Sequence, residues 1–218
     1  LVTREQYHLF YTAVPEPFTN DNGGPGGTRT AIGVASSDSP RGPWHRLAEP
    51  ILRPDDDPDA FDSMRIDDTC LIVRGGEYWM YYKGRQMNHS PQETRMGLAI
   101  SPLPTGPYVK HRENPVLDSG HEVCVWPHGN GIGCLVSSVG PQGNTLQYSD
   151  DGVDFRKIAD AVPPHAPGPF RADGFIEDRG PGMTWGVSMI HHPVWPYLVY
   201  FHCDLTSGET TGFDDTGD

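Results

Sequence analysis

Short apolar runs recur along the chain, and segments rich in glycine and proline separate them. None of the runs follows a helical period, so each one predicts a β-strand. The first group consists of strands at 7–14 and 29–37 and a closing phrase at 42–47, with a Gly-rich loop at 20–27. This pattern predicts an all-β protein.

The order of the first group then returns. A second group has strands at 68–73, 77–83, 95–101 and 106–110, and a looser third group has strands at 123–126, 132–136, 145–150 and 152–156. The phrase Gly-Pro-aromatic closes the first two groups, at 42–44 and 106–108. About four strands in roughly fifty residues is the period of a propeller blade. A β-sandwich could contain such strands but would not explain the repeated phrase.

A last unit at 170–205 predicts a partial blade. The first blade lacks its innermost strand, so we count three blades and one partial blade in a single, incomplete domain, 1–218. A five-bladed propeller needs more chain than this, and we expect at least one blade to be missing on the N-terminal side. The chain begins Leu1-Val2-Thr3 without an initiator Met or a signal peptide, which indicates a fragment or a processed chain.

Charge and cysteine content exclude several classes of function. The 16 Lys and Arg residues against 29 Asp and Glu residues give a net charge of −13, which repels nucleic acid phosphates. No basic amphipathic stretch and no membrane-length apolar run is present, so we expect no membrane contact. The 4 cysteines form no Cys-x-x-Cys pair, so we expect buried free thiols, with a Cys124–Cys134 bridge as the alternative.

Candidate site residues stand where inner strands begin, because those positions face the mouth of a propeller channel. Before and at the start of the first inner strand stand Asp62, Arg65, Asp67 and Asp68. Close carboxylates and an arginine shift one another's pKa, as active sites require. A solvated acidic loop capping the strand explains these residues about as well.

A second inner strand is preceded by His121 and Glu122. Adjacent strand residues point to opposite faces, so a regular strand would aim only one of them at the channel. Either can act as a general acid. Glycoside hydrolysis needs two such groups across the scissile bond. The alternative is a structural His–Glu pair at a strand end.

At the level of whole phrases, residues 62–72, 78–85, 120–123 and 196–204 resemble glycoside hydrolase family 117. That family is related to family 43, which shares the five-bladed propeller. The resemblance implies an inverting exo-hydrolase that removes terminal 3,6-anhydro-L-galactose from neoagaro-oligosaccharides, the end products of agarose breakdown. It also implies an aspartate general base in an early blade. We find no position for that base here, which predicts that the chain alone is inactive.

The resemblance also implies roles for the candidate residues. Asp68, or its neighbour Asp67, corresponds to the acidic residue that positions substrate and tunes the acid. His121 corresponds to the family's histidine general acid, with Glu122 as its carboxylate partner or a substrate ligand. If Glu122 is itself the acid, the chemistry is closer to that of family 43. The sequence leaves both assignments open.

Four further residues are weaker candidates for substrate binding. Arg65 and Arg85 could contact sugar hydroxyls or form ion pairs, and Trp126 could stack on a sugar or belong to the core. His191 stands where related propellers hold a channel histidine, sometimes near a divalent ion. We expect no cofactor in the chemistry and leave open a structural divalent cation, whose oxygen ligands would form no compact motif. The remaining histidines, including His165, are expected to be structural.

Two other functions fit the same fold. One is a family 43 type arabinosidase or xylosidase, and the other is a non-catalytic carbohydrate-binding propeller. The expected partner is an oligosaccharide, and relatives that dimerise leave a homodimer of the full-length protein open. An agar-derived substrate suggests a periplasmic or secreted enzyme of a marine bacterium.

Overall fold

The computed structural model describes residues 1–3, 6–15, 28–122, 124–137, 139–170, 180–190 and 194–206. Within these ranges the secondary structure is one 3₁₀ turn, Pro91–Glu93, and fourteen strands. The strands are β1 (Tyr7–Ala13), β2 (Ala31–Ser37), β3 (His45–Arg46), β4 (Arg65–Arg74), β5 (Glu77–Arg85), β6 (Arg95–Ser101), β7 (Val109–Lys110), β8 (Cys124–Gly129), β9 (Gly131–Val136), β10 (Thr145–Ser149), β11 (Arg156–Asp160), β12 (Gly168–Pro169), β13 (Gly180–Ile190) and β14 (Tyr197–Thr206).

Antiparallel sheets follow the chain order, as the strand groups predicted. The first sheet is β1-β2-β3, and the second is the meander β4-β5-β6-β7. The third runs β11-β10-β9-β8 and continues through β13, which also pairs with β12 and β14. The all-β prediction is confirmed, and the arrangement is propeller-like. In the described residues the first sheet has no counterpart of the inner strand β4, also as expected.

The first two sheets repeat one another in detail. β2 and β6 have the same pattern of burial along their seven residues. Gly42 and Gly106, in the two Gly-Pro-aromatic phrases, have φ angles of 83° and 82°. After each repeat, the chain forms one more β-bridge. It joins Leu52 to Ile32 on β2 in the first repeat and Leu117 to Met96 on β6 in the second. The bridging phrases, Pro-Ile-Leu at 50–52 and Pro-Val-Leu at 115–117, were a second sign of the repeat in the sequence.

Glycines face aromatic rings across neighbouring strands. A β-carbon on any of these glycines would lie 2.4–2.5 Å from a ring carbon of its partner. Because the ring lies over the bare backbone, no larger residue fits without displacing it. The pairs, all direct cross-strand neighbours, are Tyr11 with Gly33, Tyr82 with Gly97, Trp126 with Gly133 and Phe201 with Gly186.

Apolar clusters join successive sheets. One cluster lies between the first and second sheets and includes Ile32, Ile66 and Met80. Another lies between the second and third sheets and includes Ile72 and Ile132. These side chains are almost fully buried. Since apolar burial contributes about 25 cal/mol per Å², the clusters hold β4 and β8 at a fixed separation.

A buried polar network fixes the segment just before β4. Asp62 is 1 % exposed, and its carboxylate accepts a hydrogen bond from the Tyr82 hydroxyl at 2.8 Å. The Lys110 ammonium lies 2.8 Å from the same carboxylate oxygen. Asn114 donates to the Tyr82 hydroxyl at 3.2 Å. Side chains of two strands, β5 and β7, therefore hold Asp62, and this fixes the position of the chain where it enters β4.

One predicted strand was wrong. Residues 152–156 were expected to form the last strand of the third group, but β11 spans Arg156–Asp160. The Asp151 carboxylate accepts hydrogen bonds from the Ser149 hydroxyl and from the backbone amides of Val153 and Asp154. These bonds make a turn, as Asp side chains commonly do.

Other expectations have mixed outcomes. The four cysteines are free, so the predicted thiols are confirmed and the Cys124–Cys134 bridge is not formed. Only Cys124 and Cys134 are buried, whereas Cys70 and Cys203 are partly exposed, so the predicted burial holds for two of the four. The last unit is continuous with the third sheet, because β13 pairs with β8 at Gly180–Gly129 and Pro181–His128. The Gly-rich loop at 20–27 lies outside the described residues. In the described part of the chain, no helix has the length and apolar character to cross a membrane.

The glycine–aromatic pairs predict the effect of a single methyl group. Gly97→Ala should lower the free energy of unfolding by about 1–3 kcal/mol, because the new β-carbon meets the Tyr82 and Phe61 rings. Gly168→Ala is the control, since its β-carbon would have only one neighbour within 4 Å, at 3.5 Å. Urea unfolding of both variants measures the difference. Equal stabilities would contradict the packing described here.

Candidate active site

A bulge at the start of β4 separates the two aspartates. The register of β4 against β5 shifts between Asp67 and Cys70, and Asp68 has a φ of 46°. The Thr30 hydroxyl donates to Asp67 Oδ1 at 2.7 Å, so Asp67 is tied to the first sheet. The Asp68 side chain is 47 % exposed and lines a pocket. Of the two, Asp68 is the one available to a ligand.

Lys83 on β5 forms ion pairs with the two aspartates. Its ammonium donates to Asp68 Oδ2 and lies 3.8 Å from Asp67 Oδ2. The Lys83 side chain is only 14 % exposed, so the contact is shielded from solvent on the lysine side. Asp68 is therefore paired with a cation while it faces the pocket.

Glu122 also has a left-handed backbone, with a φ of 58°. A regular strand would turn His121 and Glu122 to opposite faces. Here the irregular backbone brings them together, with His121 Nε2 at 4.0 Å from Glu122 Oε1. The other oxygen, Oε2, lies 2.6 Å from His165 Nδ1 and accepts a hydrogen bond from the Ala166 amide at 3.3 Å.

One pocket of about 600 Å³ joins these elements. Its walls are mostly apolar and come from β1, β4, the 166–169 segment that includes β12, and β13, while Asp68 and Glu122 supply its two carboxylates. The volume lies within the range of small-ligand sites, roughly 300–1,000 Å³. The lining residues are Leu1, His8, Leu9, Phe10, Asp68, Thr69, Cys70, Leu71, Glu122, Ala166, Pro167, Gly168, Pro169 and Met189.

His121 is not among the lining residues but lies beside Glu122, which is. Burial lowers the pKa of its imidazole below the ordinary 6.5. The Lys83 charge lowers the pKa further, while the charges of Glu122 and Asp68 raise it. Its Nδ1 is buried and makes no hydrogen bond within the described residues. An imidazole in this environment loses its proton more readily than an ordinary histidine does.

The four weaker candidates for substrate binding occupy different environments or lie outside the described residues. Arg65 and Arg85 are cross-strand neighbours at the start of β4, only 8 % and 4 % exposed, and neither is among the residues that line the pocket. Trp126 is 1 % exposed and packs in the core against Gly133, so of its two alternatives the core position holds and stacking on a sugar does not. His191 lies outside the described residues. In the described chain, no three His, Cys, Asp or Glu side chains are grouped to hold a metal ion.

Three site residues were missed. His165 contacts Glu122, although we expected it to be structural, and no local motif marks it. His8 lines the pocket from β1, with its Nδ1 2.9 Å from the Ser36 hydroxyl. Lys83 could have been found, because the Gly75-Gly76 turn sets the hairpin register that places it beside the aspartates.

Comparison with solved structures gives a specific relative. No protein-family model matches the chain, and no curated protein does. The family 117 glycoside hydrolase Zg3597 of the marine bacterium Zobellia galactanivorans superimposes with a TM-score of 0.82 and 31% sequence identity. The match covers 94% of this chain and 60% of that protein, so the chain spans less than two thirds of its relative.

More distant structures share the fold alone. The RS223 β-xylosidase matches with a TM-score of 0.61 at 14% identity, over 95% of this chain and 74% of that one. A fructofuranosidase of Schwanniomyces occidentalis matches with a TM-score of 0.64 at 15% identity, over 92% and 42% of the two chains. The fold is thus that of propeller-like glycosidases, and the chain is similar to a family 117 glycoside hydrolase over 94% of its own length.

Proposed function

We propose that this chain supplies the general acid of an inverting exo-glycoside hydrolase with a five-bladed propeller. Its substrate is a neoagaro-oligosaccharide, from which it releases terminal 3,6-anhydro-L-galactose. One observation carries the proposal: Asp68 and Glu122, from two different sheets, line the same pocket, with His121 beside Glu122. Similarity to a family 117 glycoside hydrolase supports the choice of substrate.

The chemistry requires a proton for the leaving oxygen and a water for the anomeric carbon. Protonated His121 donates its Nε2 proton as the glycosidic C–O bond breaks and becomes neutral. Glu122 is the carboxylate that stabilises the imidazolium, since its Oε2 already accepts from the Ala166 amide and contacts His165. The general base that activates water is not assigned to a residue of this chain.

The role of Asp68 is to bind the substrate rather than to transfer the proton. Its carboxylate already accepts from Lys83, which leaves lone pairs for sugar hydroxyls. An ionised acceptor makes stronger hydrogen bonds than a neutral one. Asp68 thereby holds the terminal ring beside His121, at the geometry that proton transfer needs.

The apolar walls suit an anhydro sugar. In 3,6-anhydro-L-galactose an ether bridge replaces two hydroxyls, so the ring has fewer donors and more apolar surface than galactose. The walls carry Leu9, Phe10, Leu71 and Met189. An apolar pocket with a few placed polar groups accepts such a ring at little desolvation cost.

A second candidate follows from another observation. Glu122 is among the residues that line the pocket, and His121 is not. If Glu122 is the acid, the chemistry is that of a family 43 type arabinosidase or xylosidase. Its substrate would then be an arabinofuranoside or a xyloside.

The substrate assignment is tested with the open reading frame that encodes the chain, expressed in full. Wild type should release 3,6-anhydro-L-galactose from neoagarobiose, followed by chromatography. His121→Ala and Asp68→Asn should each lower kcat/KM by about 10²-fold or more. Asp160→Asn is the control, because Asp160 forms an exposed pair with Lys157 at 2.7 Å and should leave the rate unchanged.

Other results would point elsewhere. Cleavage of an aryl arabinofuranoside or xyloside instead of neoagarobiose would favour the second candidate. Sugar binding without turnover of any substrate would identify a non-catalytic binding propeller and contradict the catalytic assignments.

The pH profile tests the acid. A general acid must be protonated, and the pKa of His121 lies below 6.5, so kcat/KM should fall as pH rises through a value below 6.5. Lys83→Met removes a positive charge, raises the pKa and should move this limb to higher pH. Glu122→Gln removes a negative charge and should move it to lower pH. A limb that does not move in either variant would contradict the assignment of His121.

A further inference from the structure

His165 connects Glu122 to a different strand. The residue lies between β11 and β12, and its Nδ1 is 2.6 Å from Glu122 Oε2. Its backbone carbonyl accepts a hydrogen bond from the Met189 amide at 3.2 Å and another from the Ser188 hydroxyl. Both of those residues belong to β13. One residue thus links the carboxylate of Glu122 to the far wall of the pocket.

The contact fixes the rotation of the carboxylate. The next amide, that of Ala166, donates to the same Oε2 at 3.3 Å, from a backbone with a φ of 47°. With both donors on Oε2, the free oxygen Oε1 is the one that faces His121 Nε2, at 4.0 Å. The Glu122 side chain is only 15 % exposed, so water competes weakly for either oxygen.

The same contact sets the shape of the pocket. Ala166, Pro167, Gly168 and Pro169 follow His165 directly, and all four line the pocket. Gly168 and Pro169 form β12, which pairs with β13. At the start of this 166–169 segment, the anchors are Glu122 on one side and β13 on the other.

We propose that His165 is a positioning residue for the hydrolysis. Its Nδ1–H holds Glu122 so that Oε1 faces the acid His121, and its anchoring keeps the 166–169 wall against the sugar. This inference rests on the proposed function. A merely structural role would lower stability and leave the rate of bond cleavage unchanged.

Three variants at this position and one control test the inference in the full-length protein. His165→Leu removes the donor at similar volume, while His165→Asn keeps an N–H at the place of Nδ1. If the leucine variant does not fold, His165→Gln takes its place, because the longer glutamine side chain moves the N–H donor away from the position of Nδ1. His89→Leu is the control, because His89 Nδ1 contacts Glu93 Oε1 at 3.1 Å on the surface 3₁₀ turn, away from the pocket.

The expected result is a separation of kcat from KM on neoagarobiose. His165→Leu should lower kcat roughly 10- to 100-fold, the usual effect of losing a charged hydrogen bond, and change KM less than about threefold. His165→Asn should keep kcat within about fivefold of wild type, and His89→Leu should match wild type. A His165→Leu kcat within twofold of wild type, or an equal loss in the asparagine variant, would overturn the inference.

Failure of the inference is distinguishable from failure of the proposed function. If wild type cleaves an aryl arabinofuranoside or xyloside instead of neoagarobiose, the substrate proposal falls. The same comparison of kcat among the variants on that substrate then decides the role of His165. Absence of turnover on every substrate would overturn both.

Discussion

The left-handed backbone at Asp68 and Glu122 is the constraint on which the site depends. Their φ angles are 46° and 58°, and a non-glycine residue in this region costs of order 1–3 kcal/mol. At both positions the strand alternation is broken. Without these breaks, the alternation of side chains would turn neighbouring residues to opposite faces, and the two carboxylates would not share a pocket. Such strain persists only when surrounding contacts hold it, and here each carboxylate is held by a basic side chain, Lys83 or His165.

Packing between the sheets sets the distance across the pocket. Asp68 belongs to β4 and Glu122 precedes β8, and the two strands are in contact, with Cys70 Sγ donating to the Val125 carbonyl at 3.4 Å. The Asp62–Tyr82 hydrogen bond fixes the approach to β4 from its other side. Side chains on rigid elements hold a catalytic geometry better than side chains on free loops do. The 166–169 segment meets this requirement through its anchors and through the pairing of β12 with β13.

Local and repeated features of the fold could be predicted from the sequence, but contacts between residues far apart in the chain could not. The Gly-Pro-aromatic phrases and the polar residues at the starts of β4 and β8 were visible, because periodicity and punctuation are local signals. The contact between His165 and Glu122 was not visible, since the two residues are far apart in the chain and meet only through folding. Trp126 was ambiguous because an aromatic residue beside a site also fills cores, and burial alone decided it. The turn at Asp151 replaced a predicted strand because its side-chain hydrogen bonds compete with strand pairing.

A crystal structure of the full-length His121→Gln variant with neoagarobiose tests the central claim most directly. The account predicts that the terminal anhydro ring lies between Asp68 and Glu122, with a sugar hydroxyl within about 3.2 Å of the Asp68 carboxylate. The glycosidic oxygen should contact the side chain that replaces His121, because His121 is the proposed general acid. A sugar bound elsewhere, with no contact to Asp68 or Glu122, would contradict the account.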